Sequence, residues 1–276
     1  GAREVITKSR FDNKKVIDVQ TLKKPERTLD KGLIAPSERD VTEDVVKEHA
    51  AEPIKNIETI KMMSDYFVKN GKYRDNMLFI VGINFGLRVS DLQRLRFANL
   101  INDNLTFKET FPVFEVKTRN TRKRKKNRYI TINDAVVDAV TLYLQNTPNV
   151  SLSDYMFVSE SNRKAIKGDE QQFLSRMSID RILKGAAKAV GLTSRISSHS
   201  LRKTFGYHQM RMSNNDPRKL LLLQKIFNHS SSAETLLYIG LTEEEMHDAY
   251  LNLNLGSENN YASYSKIFEA DESKII

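Results

Sequence analysis

A chain of 276 residues with 39% hydrophobic content can bury one sizeable core, and the absence of cysteine excludes disulfides and cysteine chemistry, as a reducing cytoplasm allows. The net charge of +9 is uneven: residues 1–50 hold 11 basic and 10 acidic side chains, residues 51–276 hold 33 and 25, and residues 117–128 alone hold eight basic and no acidic ones. A focused basic patch points to a polyanion partner, most often nucleic acid, and with no apolar run of about 18 residues no membrane-spanning helix is expected.

Residues 1–52 lack clear periodicity and read as an arm or linker, with a short helix around 42–50 and a boundary at Pro53. "IETIKMMSDYFVKN" places Ile57, Ile60, Met63 and Phe67 on one helical face, with Gly71 as a stop. "YRDNMLFIVGINFG" is apolar nearly all round, so it reads as a buried helix closed by Gly86. "LRVSDLQRLRFANL" restarts a short helix, with Ser90 as N-cap and Leu92 and Leu95 facing inward. "PVFEVKT" and "RYITI" are strand-like and flank the basic stretch, so a hairpin with a basic tip is expected. "NDAVVDAVTLYLQN" is an amphipathic helix capped by Asn133, "DYMFVSE" reads as a short strand, and "SIDRILKGAAKAVG" as a helix from near Ser178 to Gly191.

The C-terminal third reads as helical. One helix begins near His199, a second at Asp216-Pro217, a third is "SAETLLYIG", and a fourth opens on the capping box Thr242…Glu245. Residues 253–276 read as a loosely structured tail. The whole is mainly α with a small antiparallel β-hairpin or sheet, an α+β chain without internal repeats.

In "SSHSLRKTFGYH" a serine-capped helix start puts His199 and Arg202 at i and i+3 on one face. A helix N-terminus favours an anion, arginine offers a planar fork to phosphate oxygens, and histidine can donate or shuttle a proton. Alone, this pair fits an ordinary exposed helix face better than an anion site. The stretch gains meaning beside Arg88 at a break between helices, Lys117 at the head of the basic stretch, His229 at a helix end, and Tyr238 nine residues later.

These pieces resemble the tyrosine recombinases, the phage-integrase family. "GLRVSDL" matches the family's first arginine box, G-L-R-x-S-[DE]-L. "HSLRKTF" matches H-x-L-R-x-T-F in every defined position. "NHSSSAETLLY" matches the G-H-S motif with its tyrosine, with Asn228 replacing glycine, and "VKTRN" supplies the expected lysine. The boxes run in order over roughly residues 54–252.

The resemblance implies the family's catalytic-domain fold over residues 53–252 and a role for each matched residue. Arg88 and Arg202 would clamp the non-bridging oxygens of the scissile phosphate. His199 would hydrogen-bond the phosphate and assist proton transfer, and His229 would stabilise the transition state. Lys117 would protonate the leaving 5′-oxygen, and Tyr238 would be the nucleophile of a site-specific recombinase working through a 3′-phosphotyrosyl intermediate. No metal, ATP or other cofactor is implied. The implied partners are a double-stranded DNA recombination site and further copies of the chain, dimer to tetramer on DNA, with the tail docking in trans and no membrane involved. A cytoplasmic, nucleoid-associated protein of bacterial or phage origin is expected.

Arg119, Arg122, Lys123, Arg124, Lys125, Lys126 and Arg128, with Lys203, are expected to grip backbone phosphates, which adds salt-dependent affinity with little sequence readout. Asp91 reads as a structural partner at its helix start, and Tyr207, His208 and His247 as packing or surface residues. Tyr207, Tyr250, Tyr261 and Tyr264 lack the nine-residue spacing of a nucleophile. The sequence departs from the family in its short arm, shortened or minimal, where a helical core-binding domain is usual. Asn228 is a milder departure, because asparagine tolerates left-handed backbone. A type IB topoisomerase-like activity and a non-catalytic DNA-binding protein on the same scaffold are the alternatives.

Overall fold

The computed structural model describes residues 22–23, 50–113, 128–159, 172–242 and 245. The expected helix at 42–50 (Ala50 excepted), most of the arm, the tip of the hairpin and the tail at 253–276 lie outside the described residues. The described elements in order are β1 (Leu22–Lys23), α1 (Ile57–Lys69), α2 (Tyr73–Phe85), α3 (Val89–Leu92), α4 (Phe97–Leu100), β2 (Thr110–Val113), β3 (Arg128–Thr131), α5 (Asp134–Asn146), β4 (Val150–Ser151), α6 (Arg176–Ala189), α7 (Ser198–Met212), α8 (Pro217–Phe227) and α9 (Ser232–Ile239). The fold is mainly α with a small antiparallel sheet, as the sequence leads one to expect.

The chain divides into two compact units, Gly1–His208 and Gln209–Ile276, and the division falls inside α7. In the first unit α2 is the central element. It packs on α1 and α5, and α1 also packs on α6. Its all-round apolar sequence answers to this position: Met77, Leu78, Phe79, Val81 and Phe85 are all buried. Gly82 lets α7 approach closely, since a Cβ there would lie 2.6 Å from Leu201 Cδ1. The core of this unit is one cluster, with Phe67, Phe79, Phe85, Phe97, Phe111 and Phe157 among its largest fully buried members.

Local chemistry explains most boundaries. Asn56 caps α1 by accepting from the Glu58 and Thr59 N–H groups, Asn133 caps α5 through Val136, and Asp216 caps α8 with Pro217 in its first turn. Strands β2 and β3 pair antiparallel, Thr110 opposite Thr131 and Val113 opposite Arg128. Beyond the pair of helices α8 and α9, Thr242 and Glu245 exchange the two hydrogen bonds of the expected capping box.

Four local expectations need correction. Ile57 is 64% exposed, because it opens α1 before the helix reaches the core; Met63 and Phe67 carry the burial. Ser90 is not an N-cap: α3 begins at Val89, and Arg88 holds the cap position in extended conformation. Helix α6 starts at Arg176, because Ser175 accepts from the Ser178 N–H and so caps the helix earlier. The described part of "DYMFVSE", residues 154–159, forms no strand; Tyr155 and Val158 make single bridges to Arg96 and Phe173, while the strand β4 precedes it and pairs parallel with β1.

Candidate active site

Arg88 is placed by a helix end. Helix α2 stops at Gly86, which adopts φ 59° and ψ 31°. Gly86 is required there for space as well as for backbone angle, since a Cβ would sit 2.3 Å from the Phe205 ring. Two residues later Arg88 leaves the turn at φ −61°, ψ 147°, and α3 follows. Asp91 is buried on that helix, in keeping with a structural role.

Arg202 reaches the same turn from α7. It is 5% exposed, and its Nη1 donates to the Gly86 carbonyl at 2.8 Å. Thus the Gly86 backbone is shared: it is followed by Arg88 and holds Arg202. His199 lies one turn before Arg202, and its ring Nε2 is buried. The start of α7 is capped differently from the simple serine cap expected. Asp180 of α6 accepts from the Ser198 N–H at 2.7 Å, and the Ser200 hydroxyl oxygen accepts from the Ser197 N–H at 3.1 Å. Asp180 is 18 residues from its partner, so no local signal marks it.

The other side of α7 is tied to residues 51–54. Lys203 Nζ donates to the Ala51 carbonyl at 2.8 Å, the Ile54 N–H donates to Thr204 Oγ1 at 2.9 Å, and His208 Nε2 bonds the Ile54 carbonyl at 2.8 Å. Lys203 is only 3% exposed. Expected on a DNA phosphate, it is instead turned inward onto the chain's own backbone, where its ammonium anchors the entry to α1. His208 and Tyr207 are packing residues; Tyr207 is buried and Lys55 lies over its ring. Arg128, expected on phosphate too, donates from Nη2 to the Phe85 carbonyl at 3.0 Å. Lys117, Arg119, Arg122, Lys123, Arg124, Lys125 and Lys126 lie outside the described residues.

In the second unit α8 ends at Asn228, which adopts φ 57°, ψ 44°. Asparagine therefore takes the left-handed position, as its short polar side chain permits. His229 follows, and its N–H closes back on the Gln224 carbonyl at 3.0 Å. Ser231 caps α9 through the Glu234 N–H, and about two turns of helix bring Tyr238 back to the histidine. The rings of His229 and Tyr238 meet edge-on with centroids 4.9 Å apart, and Phe227 packs on both at 5.4 and 5.2 Å. The Tyr238 hydroxyl is buried. The nine-residue spacing thus becomes a ring contact.

A residue the sequence did not single out fixes the histidine. Thr235 is fully buried, and its hydroxyl donates to the Ser231 carbonyl at 3.2 Å. Its oxygen lies 3.1 Å from His229 Nδ1. With the hydroxyl proton committed to Ser231, Thr235 accepts, so this bonding pattern puts a proton on Nδ1. The Ser230 hydroxyl holds the nearby Glu234 carboxyl below its ordinary range, helped by backbone N–H groups and by attraction to His229.

The family model described as "Phage integrase family" matches residues 54–245. The chain is 36% identical over 203 residues to the probable integrase/recombinase YoeC of Bacillus subtilis, covering 73% of this chain and 96% of that protein. It is 27% identical to the tyrosine recombinase XerA of Pyrococcus furiosus over 72% of this chain and 60% of XerA. A crystal structure of XerA recombinase has the same fold, with a TM-score of 0.53 and 19% identity over 75% of this chain and 66% of the other. The chain thus spans nearly all of YoeC but about three-fifths of the XerA sequence.

Proposed function

This chain belongs to the phage integrase family, the tyrosine recombinases, and on that premise we propose that it cleaves and rejoins double-stranded DNA at a specific recombination site through a 3′-phosphotyrosyl intermediate. The observation that carries the reading is the edge-on contact of Tyr238 with His229, which the spacing of the family's third box produces. Tyr238 Oη attacks the scissile phosphorus as the bond from phosphorus to the 5′-oxygen breaks. The phenolic proton passes to His199, and Lys117 delivers a proton to the departing 5′-oxygen. Arg88 and Arg202 hold the non-bridging oxygens, and His229, in this role the imidazolium, donates from Nε2 while Thr235 holds Nδ1. Charge accumulating on phosphate oxygens is thereby met by preorganised cations, which supply most of the rate in phosphoryl transfer. The phosphotyrosyl link conserves the bond energy, so a second 5′-hydroxyl can reverse the attack without ATP or metal.

The basic stretch around Arg119–Lys126 supplies affinity for the DNA backbone. Residues 53–252 serve as the catalytic domain of a cytoplasmic protein, and assembly on DNA is dimeric to tetrameric, with residues 253–276 docking on a neighbouring copy. The test is to capture and sequence the DNA that the protein holds covalently, then build that site into a nicked suicide duplex. A peptide carrying phosphonucleotide on Tyr238 and strand exchange between two marked duplexes are expected. An adduct on another tyrosine would overturn the assignment.

A further inference from the structure

Helix α2 has no basic residue in its own last turn. Its final carbonyls form the negative end of the helix dipole and lack donors within the helix. Two arginines from distant parts of the chain supply them: Arg128 from β3 donates to the Phe85 carbonyl, and Arg202 from α7 donates to the Gly86 carbonyl. The same helix end is gripped twice more. Asn133 Nδ2 donates to Asn84 Oδ1 at 2.8 Å, and the Phe111 ring of β2 packs on Phe85 with centroids 5.3 Å apart. Phe111 and Arg128 sit near each other at the base of the hairpin, where Val113 is opposite Arg128 and Phe111 opposite Ile130. The hairpin base is therefore fastened to Phe85, three residues before Arg88, while Asn133 and Arg202 hold the residues on either side.

We propose that Arg128 is a positioning residue for strand cleavage rather than a grip on DNA. It holds the Phe85–Gly86 turn in the pose from which Arg88 and Arg202 reach one phosphate. A charged donor suits the place, since it satisfies the Phe85 carbonyl and complements the helix dipole together. The proposal rests on the recombinase reading above.

The test uses the full chain and its R128A and R128Q variants with two probes. One is a fluorescent duplex of arbitrary sequence, titrated at several salt concentrations. The other is the nicked suicide duplex built from the site that the wild-type protein captures. For R128A we expect single-turnover cleavage at saturating DNA to fall about 100-fold, the scale on which small misplacements act. R128Q, which keeps an amide NH₂ donor without the charge, should fall about 10-fold, between R128A and wild type. Both should leave the salt dependence of binding unchanged, and amide exchange at residues 86–89 should quicken. Cleavage at wild-type rate with a salt slope smaller by about 0.9, one lost phosphate contact, would overturn the proposal. Should R128A fail to fold by circular dichroism, R128Q decides by the same two readings. If wild-type protein captures no DNA, the recombinase reading falls and takes this one with it; normal capture with normal cleavage by the variants sinks this one alone.

Discussion

The turn after α2 and the turn after α8 each end a helix in left-handed backbone, and each leads within two residues to a member of the proposed machinery. Gly86 has φ 59° and precedes Arg88 by two residues; Asn228 has φ 57° and precedes His229 by one. Their surroundings differ. The Cβ of any residue at position 86 would enter the Phe205 ring at 2.3 Å, whereas Asn228 is exposed and has room for a side chain. The family's glycine is therefore dispensable in one box and not in the other. Left-handed angle alone admits asparagine, while angle together with a neighbouring ring admits only glycine.

Several measurements break or sharpen this comparison. The largest effects belong to the side chains that the two turns present. Y238F should form no covalent adduct, and a persisting adduct would remove the nucleophile from the second turn. R88A and R202A should abolish cleavage yet keep most DNA affinity, since the basic stretch supplies it; parallel loss of both would count against a catalytic role. Next comes the first turn itself. G86A should cost about 2–4 kcal/mol in denaturant unfolding, from overpacking and left-handed strain together. F205A added to G86A should recover part of that loss, a non-additive pair that would identify the ring as the cause. If G86A unfolds like wild type, the spatial half of the comparison fails.

Smaller effects probe the second turn. T235V, nearly isosteric but without the hydroxyl, should lower cleavage by about 10-fold at unchanged DNA affinity, since losing one orienting hydrogen bond of about 1.4 kcal/mol is a tenfold change in rate. T235S should restore it, and the nitrogen chemical shifts of His229 should show Nδ1 protonated in wild type and a mixed tautomer in T235V. Unchanged shifts would mean that Thr235 only packs. Smallest of all, N228G should alter stability by no more than about 0.5 kcal/mol, because the asparagine already holds the glycine-like angle. A loss well above that would reveal a side-chain role for Asn228.

Local patterns were readable to the extent that their causes are local. The caps at Asn133 and Asp216, the left-handed stops at Gly86 and Gly240, the apolar α2 and the capping box at Thr242 all follow from neighbours within four residues. Where the cause lies far along the chain, local reading missed it. Ser90 resembles a cap in sequence, but α3 starts one residue before it, directly after the turn that Arg202 and Arg128 hold. Lys203 and Arg128 look alike as phosphate grips, because composition counts their charge and cannot show that a backbone carbonyl lies within reach of each. Asp180, which caps α7, carries no signal at its own position.

The sequence by itself determined the family and the residues proposed for its chemistry: two arginines, two histidines, a lysine and a tyrosine in the family's order and spacing, beside a stretch of basic residues. Spacing suffices there because His229 stands just before α9, a helix of fixed pitch whose second turn presents Tyr238 to it. Only the tertiary structure decided which cations are turned inward and what aims the rest. Hydrogen bonds across 43 residues at Arg128, 116 at Arg202 and 152 at Lys203 are set by packing, and packing has no period along the chain from which to read them.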